Sequence, residues 1–160
     1  MVEAEVKAIS IFFFLMFLDN NLAMETSNQA VNLFQKKLSK DSSLDRAALL
    51  VAVTKEIWNK NKKRLQNEVY NQSEEFAWIL PSKLNIDPWR ELLKSAQEEE
   101  LLSLIWSKIL ELADESDYVG AEISVGTHRY RLGKALKKLG SLAKRKTNKS
   151  FEIVGSRERE

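Results

Sequence analysis

The segment ISVGTHRYRLGKALKKLG, residues 123–140, decides how the fold of this chain is interpreted. It begins with apolar residues, becomes densely basic and contains the only histidine, His128. An α-helix over residues 125–143, at about 100° per residue, predicts two faces, with Ser124 as a suitable N-cap. The predicted apolar side is formed by Val125, Leu132, Leu136, Leu139 and Ala143. The predicted polar side is formed by Thr127, Tyr130, Arg131, Lys134, Lys137 and Lys138.

This pattern is typical of a DNA-recognition helix, which packs one face on the preceding helices and presents the other to the major groove. Arg131 is the best candidate to read a base, because a guanidinium binds guanine at two points. Arg129 lies between the faces, where it can reach a phosphate, and the N–H groups of the first turn can bind another. His128 points toward the apolar side, which favours a structural role. The candidate DNA contacts are Ser124, Thr127, Arg129, Tyr130, Arg131, Lys134, Lys137 and Lys138.

Positive charge is concentrated in the same region. Residues 123–149 contain nine Lys and Arg and no Asp or Glu, whereas residues 1–122 contain 14 basic and 20 acidic residues. A basic block of this kind is the electrostatic signature of a polyanion contact. Charge alone leaves a second interpretation open, which is a solvated basic helix that binds nothing.

The composition indicates a helix-rich globular chain and argues against several classes of function. Of 160 residues, 5 are Gly and 2 are Pro, fewer turn residues than an all-β fold of this length usually needs. Cys is absent, so there is no disulfide or thiolate metal site, and we expect the protein to act in the cytoplasm. A single His and the lack of a Gly-rich phosphate loop argue against an enzyme. We therefore predict no catalytic residue, no metal site, no cofactor and no small-molecule substrate.

The apolar run AISIFFFLMFL, residues 8–18, raises the question of a targeting segment. It is shorter than the about 20 apolar residues that are needed to span a membrane. Glu3 and Glu5 precede the run, where a signal peptide carries positive charge, and Asp19 follows it at once. We predict a buried first helix, with a signal peptide or a partner surface as the alternatives.

The remaining pattern predicts further helices and short loops, and hence an all-α fold. The predicted N-terminal positions of later helices are Thr26 in a capping box with Gln29 (or an earlier start near Leu22), Ser43, and Asp87 before Pro88. The acidic DESD, residues 114–117, is expected to end a helix, and a short helix is expected over residues 118–121.

Two small helical domains are expected. The predicted division is a first domain over residues 1–70, a linker over 71–86, a second domain over 87–146 that ends in a helix-turn-helix, and a mobile tail over 147–160. Pro81 argues against a continuous helix through the linker.

The segment from Ile123 to Leu139 resembles the recognition-helix region of bacterial sigma factors, above all those of the extracytoplasmic-function class. The pattern of that class is close to I-S-x-G-T-V-x-S-R-L-x-R-A-x-x-x-L. The matching positions are Ile123, Ser124, Gly126, Thr127, Arg131, Leu132, Ala135 and Leu139. The departures are His128 for the usual Val, Tyr130 for the usual small residue and Glu122 for the turn glycine before the Ile. Residues 8–146 follow the family more weakly.

The resemblance implies a transcription initiation protein that binds core RNA polymerase and directs it to promoter DNA, with an anti-sigma factor as a further candidate partner. The polymerase contacts that it implies are Gln29, Val31, Phe34, Lys36 and Lys37. The contacts that it implies for unpaired promoter DNA are Lys55, Trp58, Lys60, Lys62 and Lys63, since aromatic rings stack on bases and cations follow the backbone. For Trp58, packing in the core is the favoured alternative.

Two other functions stay open. One is a helical adaptor or sigma-like protein that binds a protein partner without reading DNA. The other is a stand-alone helix-turn-helix repressor, which would bind a palindrome as a dimer without polymerase.

Overall fold

A computed structural model describes residues 3–66 and 86–157, with side chains described up to Arg64 in the first range and from Ile86 to Arg145 in the second. Its α-helices are Glu3–Phe17 (α1), Asn20–Lys40 (α2), Arg46–Asn61 (α3), Asp87–Ser95 (α4), Glu98–Leu104 (α5), Asp114–Gly120 (α6) and Val125–Arg157 (α7). A 3₁₀ turn over Lys62–Gln66 extends α3, and a π-helical segment over Ile105–Ile109 extends α5. These ranges contain no β-strand, which confirms the predicted all-α class. Residues 67–85, which include most of the predicted linker over 71–86, lie outside the described residues.

From Phe12 onward, helix α1 is buried because its apolar residues surround the helix axis. Phe12, Phe13 and Phe14 are consecutive and all are fully buried, so no side of this part of the helix faces water. The predicted buried first helix is therefore confirmed. The same burial removes the run as an exposed partner surface. Nowhere in the described ranges is there a helix with the length and apolarity required to cross a membrane.

The ends of α2 and α3 differ from the predicted positions. Asp19 is the N-cap of α2 and its carboxylate accepts the Leu22 N–H at 2.9 Å, so the predicted start at Thr26 is wrong and the alternative near Leu22 is closer. Thr26 is buried inside the helix, where its hydroxyl donates to the Leu22 carbonyl at 2.6 Å. Asp45, rather than the predicted Ser43, is the N-cap of α3 and accepts the Ala47 N–H.

Further boundaries in the second half also differ. Ile86 takes the N-cap position of α4, so the predicted cap Asp87 is instead its first helical residue, ahead of Pro88. The DESD segment begins α6 instead of ending the previous helix. Acidic side chains in the first turn of a helix are stabilised by the partial positive charge of its N-terminus. Helix α7 continues to Arg157, past the position where a mobile tail was expected to begin.

Buried side chains from both predicted halves form one hydrophobic cluster. Trp106, after α5, stacks on Phe12 of α1 with ring centroids 6.1 Å apart, and its Nε1–H donates to the Thr54 hydroxyl of α3. Trp89 of α4 donates to the Leu15 carbonyl at 2.7 Å, which satisfies an acceptor in the last turn of α1. This arrangement does not confirm the predicted division into two domains.

Candidate nucleic-acid interface

The corner between α6 and α7 is a tight turn closed by backbone hydrogen bonds. Ile123 N–H donates to the Tyr118 carbonyl at 3.0 Å, and Glu122 N–H donates to the Val119 carbonyl at 3.2 Å. This pair of bonds is a Schellman motif, which requires a left-handed residue at the Glu122 position. Glu122 has φ 57° and meets this requirement, although glycine is the residue that usually does so. The turn therefore fixes the direction in which α7 leaves α6.

Ser124 begins α7 as predicted. Its hydroxyl accepts the Thr127 N–H at 3.1 Å and lies 2.8 Å from the Thr127 hydroxyl, while its carbonyl accepts the His128 N–H. The cap satisfies one of the N–H groups that a helix start leaves unpaired. Ser124 remains exposed and Thr127 is half-buried.

The buried face of α7 is rotated from the predicted one. His128 and Ala135 are fully buried, which confirms the inward direction of the histidine. Val125 and Leu136 are exposed, so the predicted apolar side is wrong at these positions. Leu132 and Leu139 of the predicted apolar side do pack against the hydrophobic core, and α7 contacts α4, α5 and α6.

Four candidate DNA contacts lie on the open side of α7 and are exposed: Arg129, Tyr130, Lys134 and Lys137. Tyr130 has 62% of its surface exposed, and the Lys134 ammonium lies 5.0 Å from the centre of its ring. The Tyr130 hydroxyl, followed by its charge interaction and that of Glu100, raises the pKa of Lys134 above its ordinary value. Lys134 therefore stays charged wherever an unperturbed lysine does. One accessible surface of α7, which we call the basic face, therefore combines positive charge with an aromatic ring. It is formed by Arg129, Tyr130, Lys134 and Lys137.

Two further candidates, Arg131 and Lys138, are half-buried at the edge of the basic face. Lys138 donates to Glu100 at 2.8 Å, and only 2% of the Glu100 side chain is exposed. Burial acts to raise the pKa of Glu100, but the hydrogen bonds from Lys138 and the Gln97 N–H lower it below the ordinary value. Lys138 therefore neutralises a buried carboxylate of α5.

Replacing Lys138 by alanine is expected to destabilise the fold by about 2–4 kcal/mol, because it leaves the Glu100 carboxylate buried without its partner. The loss should shrink as the pH falls to 4.5, the ordinary pKa of a glutamate, and below it, since a protonated Glu100 has no charge to bury and the pKa of Glu100 in the intact pair is lowered. Urea unfolding at several pH values measures both effects. Lys137→Ala, one residue along and exposed, is the control and should change stability by less than about 0.5 kcal/mol. Equal stability of the two variants would contradict the structural role of Lys138.

The residues implied for unpaired DNA are mostly engaged within the protein. Trp58 has 4% of its surface exposed and packs against Phe17, so its ring is not accessible to a base in this conformation. Lys55 donates to the Ala121 carbonyl at the end of α6, where a cation stabilises the helix terminus. The other contacts are ion pairs of Lys60 with Glu56 and of Lys62 with Glu98, while Lys63 is exposed.

The residues implied for polymerase binding are divided between surface and core. Phe34 is fully buried, whereas Lys36 is exposed and Val31 half-buried. Lys37 forms an ion pair with Glu56 at 2.8 Å, and Gln29 accepts a hydrogen bond from Asn61. A protein partner that approaches α2 would therefore meet Lys36 and not Phe34.

One cluster was missed by the sequence analysis, which predicted no metal site. Asp114 and Asp117 lie one turn apart on α6, and His128 of α7 faces both. Burial, and then the charge of Asp114, raises the pKa of Asp117 to about 7. The i, i+3 spacing of the aspartates was visible in the sequence, but it carries meaning only once DESD is recognised as a helix.

Comparisons of the chain with protein-family models, with curated proteins and with solved structures found no match.

Proposed function

We propose that the chain is a sigma-factor-like transcription initiation protein, in which α6 and α7 act as a helix-turn-helix on promoter DNA. The observation that carries this proposal is the basic face of α7, where Arg129, Lys134 and Lys137 are exposed beside Tyr130. Such a face can hold phosphates through its cations and approach base edges in the major groove. The segment that includes the basic face, residues 123–149, has no Asp or Glu that would repel DNA.

The turn before α7 supports the same proposal. In the sigma-factor pattern, a turn glycine stands immediately before the Ile, and Glu122 occupies that place here. Glu122 adopts the left-handed conformation that favours glycine, with φ 57°. The backbone conformation at position 122 is therefore the one that suits the glycine of the pattern, although the residue there is Glu122.

Core RNA polymerase is the proposed partner of the first half, and α2 with its exposed Lys36 is the proposed contact. A protein of this kind acts in the bacterial cytoplasm, and an anti-sigma factor would compete for the same surfaces. The proposal includes no catalytic step and no small-molecule substrate.

Co-purification with bacterial core RNA polymerase tests the partner assignment. We expect the chain to elute with core polymerase at one copy per enzyme and to be displaced by an excess of an authentic sigma factor. Elution of the chain apart from the polymerase would contradict the assignment. Retention that a sigma factor does not disturb would instead favour a helical adaptor bound elsewhere on the enzyme.

The adaptor without DNA binding is the second candidate function. The engagement of Trp58, Lys55 and Lys62 within the protein favours it, since these side chains are then withdrawn from unpaired DNA. Its partner surface would not be the Phe-rich run of α1, which is buried. The exposed Val125 and Leu136 on α7 are the alternative apolar contacts for such a partner.

Arg131→Ala is expected to weaken specific DNA binding by about 10–100-fold and to relax the preference at one base pair, the effect of losing a two-point contact to guanine. Binding-site selection followed by sequencing measures both changes. Lys137→Ala should weaken all sequences alike, as a phosphate contact does. Lys137 is the suitable control because Lys138 pairs with Glu100 and its loss would disturb the fold. Identical sequence preferences in Arg131→Ala and wild type would remove the base-reading role.

A further inference from the structure

We propose that Asp114, Asp117 and His128 bind a divalent transition-metal cation between α6 and α7, with Zn²⁺ as the best-matched ion. The three residues supply one imidazole nitrogen and two carboxylate oxygens, a ligand set that Zn²⁺ accepts readily. Neither the sigma-factor resemblance nor the proposed DNA binding is needed for this inference.

The distances between the donor atoms fit a shared cation better than direct hydrogen bonds. His128 Nε2 lies 3.5 Å from Asp114 Oδ1 and 3.5 Å from Asp117 Oδ2, and all the donor atoms lie within 4.8 Å of one another. Hydrogen bonds between nitrogen and oxygen are shorter, roughly 2.7–3.2 Å. Two ligands that each lie about 2.1 Å from one tetrahedral Zn²⁺ are separated by about 3.4 Å.

The burial of the cluster is a second and independent observation. Asp117 and His128 are fully buried, and both carboxylate oxygens and both imidazole nitrogens have no hydrogen-bond partner among the described residues. Buried polar atoms almost always have a partner, because leaving them unpaired is costly. A cation coordinated by Oδ2 of Asp117 and Nε2 of His128 would satisfy the two atoms that face each other.

Asp114 provides the route for a cation from solvent. Its side chain is 56% exposed, and it accepts a hydrogen bond from the Ser107 hydroxyl at 3.4 Å. Two carboxylates and a neutral imidazole would balance the charge of a divalent cation. Three protein ligands would leave one of the four tetrahedral positions for a water molecule.

The location gives the site a structural consequence. The aspartates belong to α6 and the histidine to α7, so a cation would join the two helices across the Schellman turn at Glu122. It would therefore hold the basic face of α7 at a fixed orientation to the rest of the protein. Any effect of the metal on DNA binding rests on the proposed function, whereas metal binding itself does not.

Titration of the full chain, free of any histidine tag, with ZnCl₂ in a calorimeter tests the inference. We expect one Zn²⁺ per chain and a rise in melting temperature of about 5–10 °C when free Zn²⁺ is 100 times its dissociation constant. Co²⁺ should bind at the same stoichiometry and give the visible absorption of a four-coordinate nitrogen and oxygen site. Because no DNA or polymerase is present, failure of the proposed function would not alter these results.

Asp114→Asn is the variant of choice because the residue is exposed and its loss spares the buried core. It should reduce Zn²⁺ affinity at least about 10-fold, while Glu115→Gln, an exposed neighbour on the same helix, should bind like wild type. Absence of stoichiometric binding by the wild type would overturn the proposal, and so would equal affinity of wild type and Asp114→Asn.

Discussion

Replacing both Lys134 and Lys137 by glutamate is expected to reduce DNA binding by about 100-fold or more at 0.1 M salt. The two side chains are exposed on the basic face, where each is placed to neutralise a phosphate. Each phosphate contact that is lost lowers the DNA-binding constant by roughly one power of ten at this salt concentration, because fewer counterions are released on binding. The two glutamates add repulsion from the phosphates. Fluorescence anisotropy with a selected DNA duplex, in the presence of core RNA polymerase, measures the change.

The salt dependence provides a second readout of the same variant. The slope of log affinity against log salt should fall by about 1.8, which corresponds to two phosphate contacts. Lys7→Glu with Lys94→Glu is the matched control, since it makes the same change in net charge on exposed residues of α1 and α4. Equal losses in the two double variants would show that net charge, and not the basic face of α7, governs binding.

Gly120→Ala is expected to lower the free energy of unfolding by about 3 kcal/mol, a large share of the 5–15 kcal/mol typical of a domain. An added Cβ would overlap the Ala48 carbonyl oxygen of α3 and approach Val51 Cβ to 2.7 Å. Because the nearest obstacle is backbone, α6 would have to move away from α3. The midpoint of urea unfolding measures the loss.

Gly133→Ala is the control for this substitution. Gly133 lies inside α7, and apart from the backbone of its own helix no atom would come within 4 Å of a Cβ placed there. Alanine should therefore raise stability by about 0.5–1 kcal/mol through helix propensity alone. A Gly120→Ala protein as stable as wild type would contradict the close packing of α6 on α3.

Features that depend on local chemistry could be predicted from the sequence. The apolar run of α1 identified a core helix, the Ser124 cap identified the start of α7, and a period of 3.6 residues identified the inward direction of His128. Each is determined within a few residues of the chain. Asp45 was missed in favour of Ser43 because both are good caps and lie two residues apart.

Features that depend on residues distant in sequence could not be predicted. Lys138 looked like a DNA contact because its partner Glu100 lies 38 positions away on another helix. The sequence around Trp58 was compatible with both base stacking and core packing, because Phe17, whose ring contacts it, is distant in sequence. The Asp114, Asp117 and His128 cluster requires both the start of α6 and the turn that folds α7 back, and neither follows from the composition of DESD.

Footprinting with and without bacterial core RNA polymerase, on DNA selected from a random pool, tests the central claim most directly. A sigma-factor-like protein should protect a defined DNA segment only when core polymerase is present, and the variant with glutamate at positions 134 and 137 should lose that protection while still binding the polymerase. Binding to polymerase without any protected DNA would contradict the claim in favour of the adaptor. Protection of a palindrome by the chain alone would contradict it in favour of a stand-alone repressor.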